Sequence, residues 1–389
     1  MSGKIRLVEN ATDTQTRPTM SHRWLIFLAI VLVVVVLLGL ILLSSSTALD
    51  GIKRFFRYIG IDRETYGAID FDNYGSVDCC LVNDRLAIVT QEQLTVYAED
   101  GAVLARHPGS YPSAALTSTE KYLLACDIGG SHLAVTDADG KLRFELDASG
   151  LIYDAALAES GAVCVLTDSS SCRAVLEVYS KSGSLLFRRN SKTNYLNTCA
   201  LSPNHEFVAA TTLGQENIAF FASAQVFDTA SDTVYAEIPL GAQLIYDLQF
   251  LDETTLCAVG ENSLVFFTAD GAILGEYAAD GSELMAYSFG GDGYVAALYD
   301  SFNANGRYRL LTMDESGTVI AEVSLDHAPL SLSACKEYVA VLSDMTLQIF
   351  NRELEEQNTA PNSIWQTVLI RSDGTAYCIA TDEASLLIP

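Results

Sequence analysis

The sequence predicts an all-β domain, an eight-bladed β-propeller, preceded by one transmembrane α-helix. Three observations predict it. Residues 24–43 read WLIFLAIVLVVVVLLGLILL, twenty positions without a charge. From about residue 77, apolar runs of four to seven residues alternate with turn residues, the mark of many short strands. Those runs also repeat, and a repeat of roughly 40–50 residues holding four strands has the spacing of propeller blades.

The apolar run comes first in the chain. At a rise of about 1.5 Å per residue, twenty residues cross roughly 30 Å, the hydrocarbon thickness of a bilayer. A signal peptide would have an apolar region of roughly 7–15 residues and a small-residue cleavage site. This run is longer, and the SSSTALDG that follows is a weak cleavage pattern, so an uncleaved anchor is expected. It is apolar on every face, unlike a surface helix of a soluble core. Lys4, Arg6, Arg17 and Arg23 precede it, and Lys53, Arg54, Arg57 and Arg63 follow. Arg23 abuts the run while Lys53 lies ten residues beyond Leu43, so the charge nearest the helix favours a cytoplasmic tail, residues 1–23, and an extracytoplasmic large domain. In the segment 44–65, Ile52, Phe55, Phe56 and Ile59 can share one helical face, with Lys53, Arg54 and Arg57 elsewhere. That pattern suits a short interfacial helix or a plain linker.

The repeating region, residues 66–389, is built from two recurring pieces. The first is a strand, a polar turn and a strand ending in small apolar residues. It occurs eight times, for example as SAALTSTEKYLLAC, YDAALAESGAVCVLT and YDLQFLDETTLCAVG. The second is a hairpin around an acidic or Ser-Gly turn, such as LTVYAEDGAVLARH or LEVYSKSGSLLFRR, and it occurs seven times. The turns of the first piece, at Asp84, Glu120, Ser160, Asn204, Glu253, Asp292, Lys336 and Asp373, lie 36 to 49 residues apart. The last unit, 365–389, has room for three strands. The run YGAIDFD at 66–72 can supply the fourth, closing the ring and hiding its edges. Eight blades follow from this count, with seven as the alternative. Asp-Gly turns are expected chemistry for tight hairpins, because Gly takes positive φ at low cost and Asp bonds the neighbouring backbone. Asp137, Asp139 and Gly140 are read in this way. A calcium loop would need six or more oxygens, and the third acidic position is missing.

Charge and cysteine content narrow the function. The chain carries a net charge of −26, and residues 65–389 hold 15 Lys and Arg against 44 Asp and Glu. Such a domain repels phosphate backbones, so no nucleic-acid partner is expected, and a basic partner suits it better. Nine cysteines sit mostly in apolar runs without a CxxC pair, so buried free thiols are expected. One pairing, Cys164 with Cys172, stays open because the two flank a hairpin.

CALSPNHEFVAATT resembles the strand pair of WD-repeat and quinoprotein-like propellers, and LTVYAEDGAVL resembles their hairpin. With the anchor and the acidic repeats, the whole is similar to an uncharacterised membrane-anchored propeller family of Gram-positive anaerobic bacteria, a domain of unknown function. The resemblance covers residues 77–389 and implies an architecture and an exported location, with no activity. Quinoprotein enzymes carry a tryptophan motif in each blade, whereas this chain has only Trp24 and Trp365, so no cofactor is expected.

His22, His107, His132, His205 and His327 fall in different repeats or outside the domain, and neither HExxH nor GxSxG occurs. Neither a metal site nor a catalytic set is therefore expected. What stands out is a group of enlarged connections. GQENIAFFASA carries Phe220 and Phe221, and YDSFNANGRYR carries Tyr299, Phe302 and Tyr308. FRRNSKTNYLN, between units, carries Arg188, Arg189 and Tyr195. Strand alternation puts second-to-third hairpins and unit-to-unit loops on one face of a propeller. Aromatic and cationic residues gathered there make a candidate binding face. The expected function is a non-catalytic binding or scaffold module for a protein or cell-envelope ligand. The alternative is an envelope glycan hydrolase or lyase using carboxylates in the propeller channel.

Overall fold

The computed structural model describes residues 30–32, 46–61, 66–73, 75–216, 219–231, 233–303 and 306–389. The chain divides into two compact units, 1–53 and 54–389. In the first, residues 30–32 are helical and a helix begins at Ser46, running to Arg57. The rest of the 24–43 run lies outside the described residues, among which no helix is long and apolar enough to cross a membrane.

The described residues of the second unit form eight four-stranded antiparallel sheets, the blades of a propeller. Blades 1 to 7 are continuous in sequence, at 78–108, 114–147, 152–191, 195–241, 245–278, 283–325 and 329–361. In each, the four strands follow one another across the sheet. Blade 8 takes three strands from 367–387 and its outermost strand, Ile69–Asp70, from the start of the unit, with Ile69 opposite Ala384 and Asp70 opposite Glu383. One sheet thus holds both ends of the ring.

Position in the blade explains the composition of each strand. Second strands such as Val163–Thr167 (VCVLT) and Thr255–Gly260 (TLCAVG) are buried throughout, because a neighbouring blade covers each face. Outermost strands such as Val103–Pro108 and Ile273–Ala278 alternate between exposed and half-buried positions. The apolar side chains fall into eight clusters, one at each junction between neighbouring blades. Between blades 4 and 5, for example, Val226 and Ile238 meet Leu248, Leu256 and Phe267. Burial at roughly 25 cal/mol per Å² therefore acts between blades rather than within a single centre.

The third-to-fourth hairpins share one geometry. Gly101, Gly140, Gly183, Gly271 and Gly317 all have positive φ, and each amide donates to the carbonyl three residues back. The register shifts by one residue just before each turn, as in a hairpin closed by a glycine bulge. At the DADG turn, Asp137 accepts the amides of Asp139 and Lys141 and the guanidinium of Arg143, while Asp139 takes Arg85. Both carboxylates are engaged by the turn and its cations.

All nine cysteines are free thiols. The sulfur beside Cys164 is Cys199 of the next blade, at 3.4 Å, whereas Cys172 donates to the Ala174 carbonyl. Cys164 and Cys172 do not pair, because Cys164 lies inside the core between blades 3 and 4. Burial pushes the thiols of Cys79, Cys126, Cys335 and Cys378 up to about 12, which makes them poor nucleophiles.

Candidate functional site

Each blade runs from a hairpin face, which carries the blade-to-blade loops and the second-to-third hairpins, to a first-turn face at the other end. The innermost strands pass hydrogen bonds from blade to blade near the channel. Asp78 of blade 1 accepts the Leu116 amide of blade 2, and Asp154 of blade 3 accepts the Cys199 amide of blade 4. Asn197 of blade 4 donates to the Ile245 carbonyl of blade 5. Ser288 of blade 6 accepts the Ala334 amide of blade 7, whose Ser331 and Ser333 accept amides of blade 8. The carboxyl groups of Asp78 and Asp154 lie above the usual range because burial outweighs these bonds. Burial, with the charge of Asp154 adding, pushes Asp247 up to about 6.

At the hairpin face the innermost strands differ among blades. In blades 1, 2 and 8 they pair with their neighbours in unbroken register. In blades 3, 4, 5, 6 and 7 each carries a bulge near its start. The unpaired residues are Tyr153, Asn197 with Thr198, Tyr246, Met285 and Leu330. A bulge drops one residue from the ladder and re-aims its side chain. Tyr153, Tyr246, Met285 and Leu330 are accordingly 43–53% exposed, although they belong to the innermost strands. Leu151 and Leu244, two positions earlier in blades 3 and 5, are exposed as well. Together they form an apolar crescent around the channel mouth.

Beside it lies an aromatic corner. Blade 4 has an enlarged second-to-third hairpin, Phe207–Glu216 and Ala219–Asp228. Phe220 and Phe221 are exposed on it, and Phe221 pairs across the hairpin with Gly214. Tyr195, also exposed, pairs with Leu213 on the same sheet and carries the Arg173 guanidinium 4.5 Å from its ring centre.

The other residues read from the sequence are placed differently. Tyr299 is fully buried in the core between blades 5 and 6, with its ring 5.6 Å from Tyr277, so it cannot meet a partner at the surface. It lies inside the strand Val295–Asn303, and the pleat turns it inward. Tyr308 is half-buried beside Arg307, and Arg307 pairs with Asp300. The side chain of Phe302 lies outside the described residues. Arg188 and Arg189 sit on the outermost strand of blade 3, Leu185–Ser191, rather than in a connecting loop. Arg188 pairs with buried Glu177 at 3.1 Å, and Arg189 lies 5.5 Å from the Phe227 ring of blade 4. Tyr195 therefore meets Arg173, and Phe220 and Phe221 are exposed on opposite faces of the blade 4 hairpin, while Tyr299 and the two arginines serve packing between strands and blades.

The opposite end of the channel opens as a funnel of about 560 Å³ bounded by all eight blades. Its wall is apolar at Leu81, Leu157, Leu201 and Phe250 and charged at Asp84 and Glu159. Lys336 of blade 7 reaches across to Glu120 of blade 2 at 3.6 Å. Among the histidines, His132 pairs with Asp147, and His107 and His205 bond to Gly140 and Ser160 in turns.

Reasoning from the sequence missed the crescent. One signal for it was present: the tetrapeptide Leu-Ile-Tyr-Asp occurs twice, at 151–154 and 244–247, at the same point of two repeats.

The fold and this face define an eight-bladed β-propeller with an exposed apolar surface around one end of its channel. Within that class, the chain belongs to the Family of unknown function (DUF5711), whose model matches residues 63–383. No curated protein matches the chain. Its fold is similar to the crystal structure of the C-terminal WD40 domain of Sif2, at 13% identity and a TM-score of 0.57, covering 82% of this chain and 96% of that one. It is also similar to BamB from Moraxella catarrhalis, at 12% identity and a TM-score of 0.52, covering 82% and 97%.

Proposed function

We propose that this protein is a membrane-anchored, extracytoplasmic propeller acting as a non-catalytic binding or scaffold module, and that its protein or cell-envelope ligand sits on the hairpin face of blades 3–7. One observation carries the reading. Large apolar side chains at this end of blades 3–7 are exposed, at the bulged strand starts (Tyr153, Tyr246, Met285, Leu330) and on the blade 4 sheet (Tyr195, Phe220, Phe221). Several exposed apolar side chains gathered at one end of a domain are typical of an interaction site. The carboxylates Asp78 and Asp154 of the innermost strands favour binding over a glycan hydrolase or lyase at the hairpin face. A glycosidase needs a pair of carboxyl groups free to face the sugar. Asp78 and Asp154 instead hold backbone amides of neighbouring blades.

The anchor is residues 24–43, with the tail of residues 1–23 on the cytoplasmic side. Phe55, Phe56 and Ile59, just before the propeller, are more than 60% exposed, as suits a segment resting on a membrane surface. Nine free thiols fit a host that does not depend on oxidative folding, such as the Gram-positive anaerobes that the resemblance implies.

The test is protease shaving of intact cells with a C-terminal epitope tag, followed by crosslinking. The tag should be lost from intact cells, and the triple variant Tyr195→Ala, Phe220→Ala, Phe221→Ala should lose crosslinked partners. A tag that is protected until lysis, while engineered surface cysteines also resist an impermeant thiol label, would overturn the exported topology. Unchanged crosslinking in the triple variant would overturn the binding face.

A further inference from the structure

Blade 4 leaves a gap in the crescent. Its bulge holds Asn197 and Thr198, where the flanking blades 3 and 5 hold Tyr153 and Tyr246. Asn197 is exposed and its amide donates to the Ile245 carbonyl at 2.6 Å, so a short polar side chain stands where the flanking blades carry rings. Two half-exposed tyrosines thus bracket a notch. Each is followed directly by a carboxylate, Asp154 or Asp247, and the charges of these two act on one another across blade 4. Backbone amides, with Thr198 and Cys199 at Asp154 and Tyr287 at Asp247, satisfy part of their demand, but no cation is bonded to either among the described residues.

We propose that this notch accepts a basic side chain from a partner segment that is also apolar, the cation seated between Tyr153 and Tyr246 and the apolar residues lying along the crescent. The inference rests on the reading of the hairpin face as a binding surface and names the chemistry of what binds there. Three observations carry it. Tyrosine faces and carboxylates together recognise an ammonium or guanidinium, by ring quadrupole and by charge. The face already holds one guanidinium on a tyrosine, where Arg173 bonds the Tyr195 hydroxyl and lies 4.5 Å from its ring centre. The crescent runs on from the notch through Met285 and Leu330, so a segment seated there also meets apolar surface. The domain's excess of 44 acidic over 15 basic side chains in residues 65–389 draws such a segment in and holds an anionic surface off.

The test uses the full chain in nanodiscs of zwitterionic lipid and three fluorescent decapeptides: alternating Lys and Leu, alternating Glu and Leu, and alternating Lys and Ser. The Lys/Leu peptide should bind at least tenfold more tightly than either of the others. Tyr153→Ala with Tyr246→Ala should weaken it at least tenfold, and Tyr153→Phe with Tyr246→Phe should restore it, because the ring face rather than the hydroxyl holds the cation. Equal binding of Lys/Leu and Glu/Leu would overturn the charge requirement. Equal binding of Lys/Ser would reduce the effect to diffuse electrostatics and overturn the notch. No binding, or binding indifferent to the two tyrosines, would overturn the proposal outright. Continued crosslinking of cellular partners in that case would leave the binding-face reading standing.

Discussion

The junction of blades 8 and 1 and the channel mouth of blades 3–7 use their side chains in opposite ways. At the junction, Arg371 is fully buried and every bond it makes is polar. Its guanidinium donates to the Asp84 carbonyl of blade 1, to the Tyr58 hydroxyl from the entering segment, to Thr375 within its own blade, and to Glu99 in the outer hairpin of blade 1. Arg54 and Arg57 bind Asp373 close by. At the mouth, the blades bulge and expose Tyr153, Tyr246, Met285 and Leu330. A ring made from a linear chain has one seam, and there the ends must be held by more than two residues of strand pairing. Elsewhere continuity of the chain holds neighbouring blades together, and the same inner positions are free to display side chains. The seam is where this propeller should be most sensitive to substitution, and the bulged sector where it should be least.

The largest effect is expected at the seam. Arg371→Met removes the cation, leaves Glu99 with Arg57 alone and the Tyr58 hydroxyl with Asp373 alone, and takes the donor from the Asp84 carbonyl. Glu99 is 26% exposed and keeps Arg57, so the loss is that of several charge-assisted bonds together, roughly 3–5 kcal/mol. Chemical denaturation should show that loss, and Arg371→Lys should recover only part of it because Lys lacks the planar fork. A loss below about 1 kcal/mol, the scale of an ordinary surface pair, would mean that the strand Ile69–Asp70 closes the ring without the arginine.

Acid separates the two regions next. Burial, with Asp154 adding, holds Asp247 at about 6, above its unfolded value, so the folded state binds the proton more readily. Stability should therefore rise as pH falls from above 6 towards 4, by about 1–3 kcal/mol from this group. Asp373 at the seam behaves in the opposite way. Burial alone would raise it, but the Thr375 hydroxyl and amide with Arg371 and Arg57 hold it below the usual range. Its contribution is present above pH 4 and lost as pH falls through its lowered value. Asp247→Asn should flatten the slope between pH 6 and 4, and Asp373→Asn the slope below 4, in urea titrations at stepped pH. The regions would not differ in this sense if Asp247→Asn left the upper slope unchanged.

The uneven legibility of the sequence has the same origin. The blades were readable because second and third strands are covered on both faces and so read as apolar runs at a fixed interval. The count of eight first pieces and seven hairpins matches the eight sheets, seven of which are continuous in sequence. Side-chain direction was not readable. Tyr299 resembles a loop aromatic until pairing with Leu284 and Arg309 places it inside a strand. Arg188 resembles a loop cation until Glu177 appears opposite it. Tyr153 and Tyr246 resemble ordinary strand residues, because a bulge is a property of register between two strands. Only the repeated Leu-Ile-Tyr-Asp hinted at a common geometry.

Register also gives a direct way to convert one region into the other. In blade 5, Ile245 pairs with Gly260 and Asp247 with Val259, so deleting Tyr246 leaves consecutive residues in consecutive pairs, the unbroken register of blades 1 and 2. The deletion should cost no more than about 1–2 kcal/mol, a common size for a single change, while abolishing binding of the Lys/Leu peptide. Failure of the deleted chain to fold would show that the bulges serve ring closure as well as display.

The smallest effect tests whether the mouth and the aromatic corner are one surface. A Cβ on Gly214 would fall 2.4 Å from the tip of the Phe221 ring, which is solvent-exposed and can swing aside. Gly214→Ala should change stability by no more than about 0.5 kcal/mol, because Gly214 is half-buried and only the exposed ring must give way, while moving that ring from its place over the hairpin. Peptide affinity that falls threefold or more in this variant would join corner and crescent into a single face, with the blade 4 hairpin as its outer wall. Unchanged affinity, together with the tenfold loss expected for the two tyrosines, would confine the cation notch to the bulged strands and leave the corner to a different part of the partner.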